Sequence, residues 1–82
     1  MDQEVEARLR GNVEHFVLQA GPEHVKIREL YGDGWDEVAH PTRVGQEFSR
    51  MVKAGEFPGL EAVPRDEWIN KNNHVEYRRR RV

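Results

Sequence analysis

The sequence predicts a single α+β domain over residues 1–82, helical through its middle and closed by a β-hairpin. Two amphipathic segments and one alternating segment carry that expectation. Apolar residues recur at spacings of three and four near the start and again after residue 41, the pattern of helices with one buried stripe. After residue 59 the pattern becomes alternation, which sets one side of a strand against a core.

The first helix is expected over residues 2–20. Val5, Leu9, Val13, Phe16, Val17 and Ala20 share its stripe. Gly21-Pro22 should end it, because glycine accepts a left-handed cap and proline cannot continue the ladder. Gly11 within it costs roughly 1 kcal/mol relative to alanine, so the helix depends on packing. His24-Val25-Lys26-Ile27 allows a short strand, and Arg28-Glu29-Leu30-Tyr31 a short helix that Gly32-Asp33-Gly34 interrupts. Asp33 is a candidate N-cap for the turn through Trp35-Asp36-Glu37-Val38-Ala39. Whether this region is one kinked helix or two turns, the pattern leaves open.

The most regular segment runs over residues 41–54. Pro41 suits a first helical turn, where its missing N–H is no loss, and Gly55 after Lys53-Ala54 is a good stop. Val44, Phe48, Met51 and Val52 share one face. Arg43, Gln46, Arg50 and Lys53 share the opposite face, with Glu47 at its flank. Leu60-Glu61-Ala62-Val63 and His74-Val75-Glu76-Tyr77-Arg78 then alternate as two strands. The stretch 64–73 between them holds Asn70-Lys71-Asn72-Asn73, residues that tolerate turns and left-handed geometry.

Composition removes several classes of function. A chain of 82 residues without cysteine has no disulfide, no Cys-based zinc site and no thiol chemistry. No apolar run approaches the roughly 20 residues of a membrane span. The acidic opening Met1-Asp2-Gln3-Glu4 is unlike a secretory leader. A cytoplasmic location away from membranes is therefore expected. The net charge of −2 hides an asymmetry: residues 1–41 carry nine acids and four bases, residues 42–82 six acids and nine bases. The basic second half points toward an anionic partner. The plainer source of that imbalance is a solvated arginine run, Arg78-Arg79-Arg80-Arg81.

Helix, short strand, short helix, amphipathic helix and hairpin is the order of a winged helix-turn-helix, three helices followed by a hairpin wing. The third helix of such a motif lies in the DNA major groove. Its outward bases neutralise phosphates, while Arg and Gln can read base edges. Arg43, Gln46, Arg50 and Lys53 have that chemistry. The wing would add Arg65, Lys71 and Arg78, with His74 near its tip. The expected function is a small regulatory protein bound to double-stranded DNA, as a dimer on a palindromic site or as an accessory to a larger complex.

From about Val25 to Tyr77 the chain resembles a group of small bacterial and phage domains of winged helix-turn-helix type. Leu30-Tyr31, Trp35, Arg43-Val44-Gly45-Gln46-Glu47-Phe48, Val52 and Asn72-Asn73-His74-Val75-Glu76-Tyr77 carry the resemblance. These are mainly core and turn markers. The resemblance implies the winged fold and a nucleic-acid-binding role; the acidic first helix lies outside it.

The remaining signals suggest supporting roles. Trp35 is expected in the core beside Phe48, and Trp68 as a cross-strand partner of Tyr77. His15, His24, His40 and His74 form no close ligand pair, so neither a metal nor another cofactor is expected. Asp33, Asp36 and Glu37 lack calcium-loop spacing. The single serine, Ser49, sits mid-helix, and no Ser-His-acid set or phosphate loop appears, which argues against an enzyme. The rival function is a phage or mobile-element protein that binds and inhibits a host nucleic-acid-handling protein, its acidic first helix imitating phosphate charge. A third is a structural module whose basic hairpin caps an oligomer.

Overall fold

The computed structural model describes residues 1–80. Its elements are α1 (Gln3–Leu18), β1 (Val25–Lys26), α2 (Ile27–Tyr31), a 3₁₀ turn at Trp35–Glu37 and α3 (Pro41–Lys53). There follow β2 (Leu60–Ala62), a second 3₁₀ turn at Arg65–Glu67, and β3 (Glu76–Arg79). The result is an α+β fold of three helices and one three-stranded sheet. Arg81, part of the expected arginine run, lies outside the described residues.

Helix α1 begins where the Asp2 carboxylate accepts from the Glu4 and Val5 amides at 2.8 and 3.3 Å. It stops at Leu18, two residues before the expected end, and Gln19 is already extended. A residue distant in sequence holds this end. Arg79 donates Nε–H to the Phe16 carbonyl at 2.9 Å and Nη1–H to the Pro22 carbonyl at 2.8 Å, with its guanidinium 3.9 Å over the Phe16 ring. The arginine takes up a last-turn carbonyl that further helix would otherwise have satisfied. Ala20, expected on the buried stripe, is exposed.

The five-residue α2 would not persist alone. Side chains of α1 hold its end: Asn12 donates to the Leu30 carbonyl at 2.8 Å, and Arg8 to those of Tyr31 and Asp33 at 3.0 and 2.7 Å. Asp33 thus serves through its carbonyl and not as the expected N-cap. Gly34, left-handed at φ 93°, occupies the cap position of the 3₁₀ turn. The region is two turns, not one kinked helix.

Helix α3 has Pro41 in its first turn, as expected. It ends in a Schellman arrangement, with Gly55 N–H donating to Val52 and Glu56 N–H to Met51, both at 3.0 Å. Its apolar face (Val44, Phe48, Met51, Val52) is buried as the spacing requires. Phe48 packs between Phe57 and Tyr77, with ring centroids 4.7 and 5.0 Å away. Trp35 is not beside Phe48 in an aromatic pair; its ring partner is Tyr31, at 5.6 Å and edge-on.

The sheet order is β1-β3-β2, all antiparallel, with Val25 opposite Tyr77 and Ala62 opposite Tyr77 on the other side. The short strand expected near residue 25 is therefore the outer partner of β3. Alternation along β3 sends Tyr77 and Arg79 toward the helices and Glu76 and Arg78 to the other face. That parity undoes the expected Trp68–Tyr77 pair. Trp68 lies with the chain covering the far face, its indole N–H donating to the Val63 carbonyl at 2.9 Å.

Candidate functional site

The four residues of the expected α3 stripe are all exposed, yet they have different neighbours. Thr42, Gln46 and Ser49 lie on the flank of α3 that faces the segment 72–75. Between them is an open cleft of about 830 Å³, which Lys26, Ile27, Arg28 and Trp35 also line, with Tyr77 among its walls. Of its fourteen lining residues none is Asp or Glu, in a chain that has 15 of them. Lys26, Arg28 and His74 supply its basic groups. Two carboxylates stand just outside the lining: Asp36 bonds Arg28 at 2.9 Å in an exposed pair that salt screens readily, and Glu29 accepts from the Lys26 amide at 2.9 Å.

The opposite flank of α3 is different. Arg43 lines a depression together with Asp2, Glu37 and Glu47. Arg50 reaches to 3.9 Å from Glu47, and the Met1 amino group lies 3.0 Å from the same carboxylate. Lys53, at the helix end, is exposed.

The expected wing residues divide likewise. Lys71 is exposed and precedes Asn72, which is part of the cleft wall. Arg65 donates to the Asn73 side chain at 2.9 Å and lies 5.6 Å over the Trp68 ring, so it borders the same wall. Arg78 does not join them. It bonds Glu61 at 2.6 Å and Glu67 at 3.2 Å on the far face of the sheet, contacts that raise its pKa further. Arg79 is spent on α1, and Arg80 extends toward Glu61 at 4.0 Å.

One carboxylate organises the cleft wall. Glu76, 3 % exposed, accepts from the Ile69 amide (3.0 and 3.1 Å), the Asn70 amide (2.7 Å) and the Asn70 side chain. Because the ionised carboxylate only accepts, His24 must present Nδ1–H to it, at 2.8 Å. Asn70 relays this order outward: its Oδ1 accepts from the Asn72 and His74 amides at 2.9 and 3.3 Å, and its Nδ2 donates to the His74 carbonyl at 2.9 Å. Asn73 is left-handed, φ 59°, which asparagine tolerates. Burial of Glu76 works against its charge, but the hydrogen bonds from Asn70, Ile69 and His24 outweigh it and hold the carboxyl at about 2. On the cleft floor, burial pushes the Tyr77 phenol up to about 12 despite a hydrogen bond with Ser49.

Among the residues that line the cleft, sequence reasoning singled out Gln46 and His74. It missed Lys26, Arg28, Trp35, Asn72 and the organising Glu76. The one available signal was the asparagine-rich stretch just before the single acid of the segment 74–78. Among the described residues, no group of three His, Asp or Glu side chains is placed to hold a metal ion, and no helix is long and apolar enough to cross a membrane. No family model, no curated protein and no solved structure matches the chain.

Proposed function

We propose that this protein binds DNA as a small winged helix-turn-helix module. The element order and the outer pairing of β1 on β3 support the winged reading: α2 and α3 make the helix-turn-helix, and the β2–β3 connection makes the wing. The observation that carries the function is the cleft between α3 and residues 72–75, whose lining includes Lys26 and Arg28 and no carboxylate; Arg65 bonds its wall at Asn73, and Lys71 precedes Asn72. A phosphate strand passing there meets cations, amides and hydroxyls, with no carboxylate in the walls to repel it. Gln46 stands beside it with the amide needed to read a base edge. Arg43, Arg50 and Lys53 extend the surface outward along α3, whereas Arg78, already paired twice, is left out.

The test is a titration of duplex DNA at low and at moderate salt. Binding that weakens steeply with salt is expected, because displaced counterions make phosphate contacts salt-dependent. No binding at low salt removes the proposal.

A further inference from the structure

We infer that the cleft accepts an unpaired DNA base, stacked on the Trp35 ring with its edge turned toward Gln46 and Asn72. This rests on the DNA-binding reading and adds to it a preference for DNA with a bulge, a recessed end or a single-stranded stretch over a blunt duplex.

Three features meet at this place. Trp35 is only half-buried and lines the cleft, whereas Phe48, which completes the core, is fully covered. Its ring meets Tyr31 edge-on, at 61°, and it packs in part against the core. Exposed side-chain amides stand in the same walls at Gln46 and Asn72. Such amides offer both a donor and an acceptor, as the hydrogen-bonding edge of a base requires. The volume of about 830 Å³ falls within the roughly 300–1,000 Å³ of clefts that enclose small ligands.

Pairing decides which DNA can use these groups. In a duplex both faces of a base are covered by its neighbours, so a protein ring can reach only edges and sugars. Stacking on an aromatic side chain requires a base outside the helix stack. Lys26 and Arg28 then stand where flanking phosphates would run, a phosphate replacing the exposed Asp36 as the partner of Arg28.

The experiment uses W68F, which leaves Trp35 as the sole tryptophan of the two. Its emission is followed against oligothymidylate, a blunt duplex and the same duplex with a short bulge. Quenching by oligothymidylate and by the bulged duplex, but not by the blunt one, is expected. Trp35→Ala should weaken oligothymidylate binding on the order of tenfold, while Trp35→Phe, which keeps a stacking ring, should retain most of it. The inference is overturned if the blunt duplex binds as tightly as the bulged one with no change in emission. Equal losses in a folded Trp35→Ala and Trp35→Phe overturn it as well. Either result leaves duplex binding standing, whereas no binding to any of the three DNAs at low salt removes both proposals. If Trp35→Ala unfolds, the quenching pattern and Trp35→Phe decide.

Discussion

The two flanks of α3 belong to one helix yet have opposite surroundings. On one, Thr42, Gln46 and Ser49 share a cleft with Lys26, Arg28 and residues 72–75, and no carboxylate lines it. On the other, Arg43 sits among Asp2, Glu37 and Glu47, and Arg50 leans toward Glu47. A charge attracts a distant ion only through the summed field of everything within about a Debye length, some 8–10 Å. Arg43 and Arg50 thus stand among carboxylates that line their flank. On the cleft flank, among the described residues, the one carboxylate paired with a lining cation is the exposed Asp36, 2.9 Å from Arg28. Gln46, which carries no charge, stands on the more positive side. Facing outward and being free to bind are different properties, and the second depends on what packs next to the helix.

The sharpest way to break this contrast is charge reversal on each flank. R28E with K71E should lower DNA affinity on the order of a hundredfold or more, since two attractions become repulsions near the proposed strand. R43E with R50E should cost several-fold at most. Equal losses from the two pairs, measured by anisotropy at one salt concentration, would erase the distinction between the flanks.

The cleft flank also depends on the Glu76 carboxylate, and acid should expose that dependence. Its folded pKa lies below the ordinary value of 4.5, at about 2. The stability it contributes is therefore fully present above about pH 4.5 and is lost as pH falls toward 2. The total is on the order of 3 kcal/mol. Urea unfolding at several pH values should show this decline in the natural sequence. In Glu76→Gln the corresponding loss should already be present at neutral pH, and this part of the pH dependence should be absent. Amide exchange at Ile69 and Asn70 should rise in the variant before that of the α3 core.

The smallest effect concerns counterions. Arg28→Gln should reduce the slope of log affinity against log salt by about one, as for one lost phosphate contact. Arg43→Gln should change it less, because Asp2, Glu37 and Glu47 line the same depression and repel a phosphate there. Matching slope changes would place the strand centrally over α3 and not in the cleft.

Most of the architecture was legible residue by residue. The spacing of Val44, Phe48, Met51 and Val52, with Pro41 before and Gly55 after, specifies α3 through local rules alone. The hairpin followed from alternation. The errors arose where a distant residue intervenes. Helix α1 ends two residues early, where Arg79, some sixty positions later, bonds the Phe16 carbonyl. Asp33 loses its capping role to a glycine, and Tyr77 faces Phe48 instead of Trp68 through strand parity. Of the site, Gln46, Lys71 and Arg65 were legible as polar outward residues, and Arg78 was legible only as an arginine. Its two carboxylate partners come from β2 and from the turn at Arg65–Glu67.

The sequence by itself determined the elements, the buried face of α3 and the excess of base in the second half. Those properties depend on neighbours within a turn or two, where spacing is a sufficient guide. The tertiary structure decided which charges remain free and where they gather. Only folding brings Lys26 and Arg28 across from Gln46, seats Glu76 beneath Asn70, and turns Arg78 away. Electrostatic fields and hydrogen bonds act through space, over a few ångströms that the order of residues along the chain does not record.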